Sequence, residues 1–214
     1  MDKTILSKIE GFFAQFKTQT YRKGEILIRA DEDPSGIFYL TQGTVKMYAI
    51  SKKGDEQILN IFKPVSFFPM SWAVNGTHNT YFFEAMTPLV LRKSPKSKAL
   101  EFIKSNNDVL FDLLCRVYKG TDGLLERLDG LMSGNAYTQL LTQILINTKR
   151  FGTYDGKGAT LKITEKDLAS ESGLTRETVS REIKLLKEQK LIDFSKNKLT
   201  VFSPEKLEDT LFSV

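Results

Sequence analysis

The sequence predicts an α+β protein with a β-barrel in front, a long helix in the middle and a winged helix-turn-helix at the end. Three observations predict it. Short β-rich segments separated by turn signals fill residues 20–93, apolar residues recur with heptad spacing after residue 107, and a small-residue, glycine and arginine pattern sits around residue 176. The expected domains are 1–106, 107–135 and 136–214.

The 214 residues leave room for one large or two modest domains, each with its own core. A hydrophobic share of 41% with 27% charged residues is ordinary for a globular chain, so disordered and fibrous classes are set aside. No apolar run approaches the roughly 20 residues that span a bilayer, and the first residues lack the apolar stretch of a secretion signal. A cytoplasmic protein with no membrane partner is therefore expected. The net charge of +5 favours a polyanionic partner only weakly, because the excess is not concentrated in the C-terminal part.

The strand candidates are 25–28, 36–40, 44–50 and 56–62, followed by 81–85 and 89–93, all rich in β-branched and aromatic residues. Turn signals at 22–24, 33–36, 42–43 and 52–55 separate the first four. Regular spacing of this kind suggests an antiparallel sandwich or barrel.

A helix is expected over 107–132. Leu110, Leu114, Val117, Thr121, Leu124, Leu128 and Leu131 recur at intervals of 4, 3, 4, 3, 4 and 3, which makes a seam for a second copy of the chain. The bland reading is a helix that packs only on its own β domain. Leu113 and Leu125, beside the seam, are the candidates for that intramolecular face. Ser133-Gly134-Asn135 breaks the helix and is a candidate hinge.

From residue 136 the chain turns helical again, with Leu140, Leu141, Ile144, Leu145 and Ile146 as its apolar face, and 151–159 reads as a glycine-rich loop. Thr164 is an N-cap with Asp167 three residues on. Ala169 lets two helices cross closely, and Gly173 supplies a left-handed turn between them. Val179, Ile183 and Leu186 bury one face of the second helix, which Thr175 caps. Arg176, Glu177, Ser180, Arg181 and Lys184 form the other face. Such a face suits the major groove, where arginine pairs with guanine and glutamate accepts from cytosine. The segments 191–194 and 198–202 flank a short turn as a wing, whose Lys196 and Lys198 suit phosphates. A generic helical hairpin with solvated charges is the competing interpretation.

This order of parts resembles the cyclic-AMP receptor protein and fumarate-nitrate reductase regulator (CRP/FNR) family over nearly the whole chain. Residues 23–27 look like the first barrel strand and 37–45 like the central hairpin. Residues 175–181, Thr-Arg-Glu-Thr-Val-Ser-Arg, are similar to the recognition helix. The resemblance implies a cyclic-nucleotide-binding-like jelly roll, a homodimer, a palindromic double-stranded DNA site with TGA-like half-sites, and RNA polymerase as a further partner. In the cyclic-AMP branch the base-contacting positions map to Arg176, Glu177 and Arg181; in the other branch they map to Glu177, Ser180 and Arg181.

The sensor departs from the family pattern. Nucleotide-binding members carry a Gly-Glu pair and, about ten residues on, an arginine for the cyclic phosphate. Pro69-Met70 and Asn79 stand at those positions, and no arginine lies between Arg29 and Arg92. Cyclic-nucleotide binding in the usual way is not expected. One cysteine, Cys115, cannot hold an iron–sulfur cluster, and the lone His78 sits in a polar loop, so no metal or cofactor is expected. Phe67, Phe68, Trp72, Tyr81, Phe82 and Phe83 read first as core. Alternatively Phe67, Phe68, Trp72, Tyr81 and Phe83, with Thr121, line an apolar effector pocket. An enzyme is not expected, for want of a phosphate loop, metal cluster or nucleophile–base pair. The remaining alternative is an effector-sensing signalling module whose barrel binds an apolar molecule or a protein.

Overall fold

The computed structural model describes residues 2–51, 54–132, 135–156 and 158–212; the side chains of 126, 127, 129–132 and 212 lie outside the description. The chain divides into two compact units, Met1–Val117 and Tyr118–Val214.

The first unit begins with α1 (Lys3–Ala14), capped by the Asp2 carboxylate, which accepts from the Thr4 amide at 2.7 Å. Eight strands follow: β1 (Thr18–Tyr21), β2 (Ile26–Ile28), β3 (Ile37–Gln42), β4 (Val45–Ile50), β5 (Glu56–Phe62), β6 (Ser66–Phe68), β7 (Phe82–Ala85) and β8 (Leu89–Ser94). They form two antiparallel sheets, ordered β1-β8-β3-β6 and β2-β7-β4-β5, the double-sheet jelly-roll form of the expected barrel. α2 (Met70–Asn75) lies between β6 and β7, and α3 (Lys96–Ser105) follows β8.

Strand periodicity assigns the apolar residues to two cores. On β3, Phe38 and Leu40 point between the sheets, while Ile37 and Tyr39 point to the helices. The inter-sheet core is completed by Val45, Phe68, Phe83, Ala85, Leu89 and Leu91. The outer core joins Ile9 and Phe13 of α1 to Phe67, Ala99 and Val109. Arg92 fixes α1 by donating Nη1 hydrogens to the carbonyls of Ala14 and Phe16, at 2.7 and 2.8 Å. The Ala14 carbonyl belongs to the last turn of the helix, where acceptors are left over.

The helix α4 (Asn107–Met132) has the expected bounds. Its first turns pack inward through Val109 and Leu113, and Arg116 donates to the Val65 carbonyl at 2.6 Å. The opposite face is exposed: Leu110, Leu114, Val117, Leu124 and Leu128 are between 46% and 64% accessible. Leu125, grouped with Leu113 as an inward residue, is exposed instead. Leu131 falls outside the described side chains; Ser133 and Gly134 of the expected hinge, and Lys52 and Lys53 of the expected turn, fall outside the described residues.

The second unit holds α5 (Ala136–Phe151), β9 (Thr153–Asp155), β10 (Gly158–Lys162), α6 (Glu165–Ser172), α7 (Arg176–Glu188), β11 (Ile192–Ser195), β12 (Lys198–Val201) and α8 (Pro204–Phe212). Its sheet runs β11-β12-β10-β9. In place of the glycine-rich loop expected over 151–159, Phe151 ends α5 and β9 pairs antiparallel with β10. Two of the glycines serve that pairing: Gly156 has a left-handed φ of 61°, and a Cβ on Gly158 would come within 3.1 Å of the Val201 carbonyl of β12. Leu140, Leu141, Ile144, Leu168, Val179, Ile183, Leu186 and Val201 share one core beneath α6 and α7. Among the described residues no helix is long and apolar enough to cross a membrane.

Candidate nucleic-acid interface

Local chemistry fixes the geometry of the helix pair. The Thr164 hydroxyl accepts from the Asp167 amide at 3.0 Å, and the Asp167 carboxylate accepts from the Thr164 amide at 3.0 Å, a complete capping box for α6. Gly173 ends α6 at φ +74°, and a Cβ there would meet nothing within 4 Å. The position is therefore set by backbone conformation rather than by space. Thr175 starts α7 by accepting from the Thr178 amide at 3.2 Å. Gln143 and Asn147 of α5 both donate to the buried Glu171 carboxylate, which ties α6 to α5.

With Val179, Ile183 and Leu186 buried, Arg176, Glu177, Ser180, Arg181 and Lys184 are all exposed on α7. The structure brings these five onto one helix. The Glu177 carboxyl is held below the usual carboxylate range by its own backbone amide and by Thr175, so it is an ionised acceptor at neutral pH. Arg181 turns back on its neighbour Glu182, with Nε at 3.0 Å and Nη2 at 2.9 Å from the same carboxylate oxygen. Glu182 is 5% exposed and was not singled out from the sequence. Its signal was an acidic residue on the buried arc of α7, between Val179 and Ile183.

The wing is a two-residue hairpin. Lys196 and Asn197 have φ of 48° and 61°, the left-handed pair that a tight turn between right-twisted strands requires. Both Lys196 and Lys198 are exposed at its tip. Lys187, by contrast, is occupied: it pairs with Asp193 at 2.8 Å and donates to the Phe194 carbonyl, joining α7 to the wing. That contact holds the Asp193 carboxyl below its ordinary range. An open groove of about 490 Å³ runs along this side, with Glu165, Ser180, Lys184, Lys187 and Phe194 in its walls.

The aromatic residues of the first unit are divided between two places. Phe67 faces the helices and stacks near Phe13 and Tyr39, whereas Phe68 faces the inter-sheet core, 5.0 Å from Phe62 and 5.5 Å from Phe83. Adjacent residues of a strand point to opposite faces, so these two cannot line one cavity. Trp72 packs in the helical core, with the Lys96 ammonium 4.5 Å from its ring centre, and Tyr81 is partly exposed. Thr121 is exposed and belongs to the second unit.

At the positions expected to meet a cyclic phosphate, Asn79 is buried and spends its side chain inside the chain. Its amide donates to the carbonyls of Arg29 and Tyr81, at 2.8 and 2.9 Å. Pro69 and Met70 begin α2 and bring no charged group. His78 lies 3.5 Å from Asp31 at the surface, and Cys115 is half-buried on α4. No group of three or more metal-ligating side chains is found among the described residues.

Residues 18–106 match the family model for the cyclic nucleotide-binding domain, and residues 139–210 that for the Crp-like helix-turn-helix domain. The chain is 26% identical to the global nitrogen regulator of Nostoc sp., over 87% of this chain and 85% of that protein. It is 24% identical to the cAMP-activated global transcriptional regulator CRP of Pasteurella multocida, over 91% and 94%. The solved structure of a CooA variant from Carboxydothermus hydrogenoformans superposes with a TM-score of 0.79 at 20% identity, covering 94% of this chain and 90% of that one. Jelly roll, long helix and winged helix together define a DNA-binding transcription regulator. The chain belongs to the CRP/FNR family.

Proposed function

We propose that this regulator works as a homodimer on a two-fold symmetric DNA site and needs no cyclic nucleotide of the usual kind. The observation that carries the DNA reading is the single polar face of α7, where Arg176, Glu177, Ser180, Arg181 and Lys184 are all exposed beside a basic wing tip. Arg176, Glu177 and Arg181 read base edges in the major groove, with Ser180 and Lys184 beside them. Thr175, Lys196 and Lys198 meet phosphates and set the register.

The exposed seam Leu110, Leu114, Val117, Thr121, Leu124 and Leu128 supports pairing with a second copy, which Leu131 would extend. In that dimer residues 1–106 form the sensor, 107–135 the dimer helix and hinge, and 136–214 the reader. Two readers then fall about one DNA turn apart, roughly 34 Å. RNA polymerase is the expected further partner, in the cytoplasm. The filled inter-sheet core and the buried Asn79 favour a protein that binds DNA with no added nucleotide.

Selection of bound sequences from random duplexes by the purified protein tests this. A symmetric motif that Arg181→Ala loses is the expected result. An asymmetric motif, or one unchanged in the variant, would sink the proposal.

A further inference from the structure

The Arg181–Glu182 contact is unusual for a helix. Successive residues point about 100° apart, so neighbours at i and i+1 do not ordinarily face each other. Here the long Arg181 side chain, 68% exposed, folds back to a carboxylate that is 6% exposed on the flank of α7. Both of its contacts run to one oxygen, from Nε and from Nη2. That is the side edge of the guanidinium. The outer hydrogens of Nη1 and Nη2 remain and form the end edge, while the second Nη1 hydrogen points back toward Cδ.

We infer that Glu182 is a specificity-determining positioning residue, which clamps the side edge of Arg181 so that only its end edge reaches a guanine O6 and N7. The inference rests on the proposed base-reading role of Arg181. An arginine on an exposed helix face has many conformers, and most of them reach phosphates rather than bases. The buried carboxylate selects one. It also cancels a positive charge beside the DNA backbone, which weakens binding to sequences that offer no guanine at that step. Discrimination thus rises from both sides: the right base meets a preset pair of donors, and the wrong duplex meets less net charge.

The test compares the intact protein with Glu182→Leu, which keeps buried bulk but removes the acceptor, and Glu182→Gln, which keeps an acceptor oxygen. Glu182→Ala replaces the leucine variant should that one fail to fold. Fluorescence anisotropy gives affinities for the selected duplex, for duplexes changed at the base pair that Arg181→Ala ceases to select, and for random duplex across a salt series. The intact protein should discriminate roughly 10- to 100-fold at that pair.

In Glu182→Leu this discrimination should fall to within about 3-fold at that pair alone, while random-duplex binding tightens and its salt slope steepens by about one. Glu182→Gln should keep most of the discrimination. Unchanged discrimination in Glu182→Leu overturns the inference. So does an equal loss at every base pair with weaker random-duplex binding, which marks a merely structural role. An intact protein that selects no motif fails earlier, and removes the base-reading proposal together with this one.

Discussion

Asn79 and Arg181 stand where the family resemblance puts ligand-facing residues in the two domains, and their side chains are disposed in opposite ways. Asn79 is 5% exposed, and its amide is consumed by two backbone carbonyls of its own unit. Arg181 has a side chain 68% exposed and keeps one edge free. The jelly roll has filled its interior with Phe38, Phe62, Phe68 and Phe83. The winged helix keeps its buried polar groups paired, as in Gln143 and Asn147 on Glu171, and leaves Arg176, Glu177, Ser180, Arg181 and Lys184 exposed on α7. The family fold thus carries a closed, apolar interior in the first unit and an exposed polar helix face in the second.

The comparison is broken most forcefully at the seam that would link two readers. Leu124→Asp places a charge in the exposed stripe of α4 and should leave the chain monomeric by sedimentation. Affinity for the symmetric site should then fall about 10²- to 10⁴-fold, because the second half-site is no longer held at high effective concentration. A variant that stays dimeric would leave α4 without that role.

Next is the closed interior. Phe68→Ala removes a ring that is fully buried among three others and should cost about 3–5 kcal/mol, read as a fall in the melting temperature of the first unit. A loss under 1 kcal/mol would mean that the core collapses to fill the gap, so that the interior is less tightly set than described.

A third effect appears only at high pH. Burial pushes Tyr39 and Tyr48 up to about 12, with Glu10 adding to the first and Glu84 to the second. Since their folded values exceed the unfolded one, their contribution is fully present below about pH 10 and is lost as pH rises through about 12. It amounts to on the order of 2–3 kcal/mol each. Absorbance at 295 nm should show Tyr39 and Tyr48 titrating late, together with unfolding. Seven tyrosines that all titrate near pH 10 with the fold intact would contradict this burial.

The smallest effect lies in the reader's turn. Gly173→Ala forces a left-handed alanine into open space and should cost about 1–2 kcal/mol. That corresponds to a fall of several degrees in the melting temperature of a domain of this size. A stability equal to the parent's would show that the α6–α7 turn tolerates a side chain.

The reader was the more legible domain in the sequence because its signals are local. Thr164 with Asp167, Gly173 and the pattern Val179, Ile183, Leu186 each act within a few residues, and each appears in the structure as expected. The long helix was equally plain, since heptad spacing depends on the helix alone. The sensor was harder to read. Phe67 and Phe68 look like one cluster in sequence, but the pleat sends them to different cores, and their partners lie far along the chain on α1, β3 and β7. α1 went unread although Ile5, Ile9, Phe12, Phe13 and Phe16 have helical spacing. β1 and β6 are too short, at four and three residues, to show periodicity. The β9–β10 pairing was hidden because glycines needed for close strand approach resemble those of a loop. Glu182 was missed because the outer face of α7 drew attention away from its buried arc.

The contrast between a closed sensor and an open reader meets its most direct test in one binding curve. Nucleotide-free protein is titrated onto its selected duplex, with and without millimolar cyclic AMP. The account predicts the same tight, saturable binding in both. Binding that appears only with the nucleotide, or tightens 100-fold with it, would contradict the account and show that the jelly roll still takes the ligand its buried Asn79 is argued to exclude.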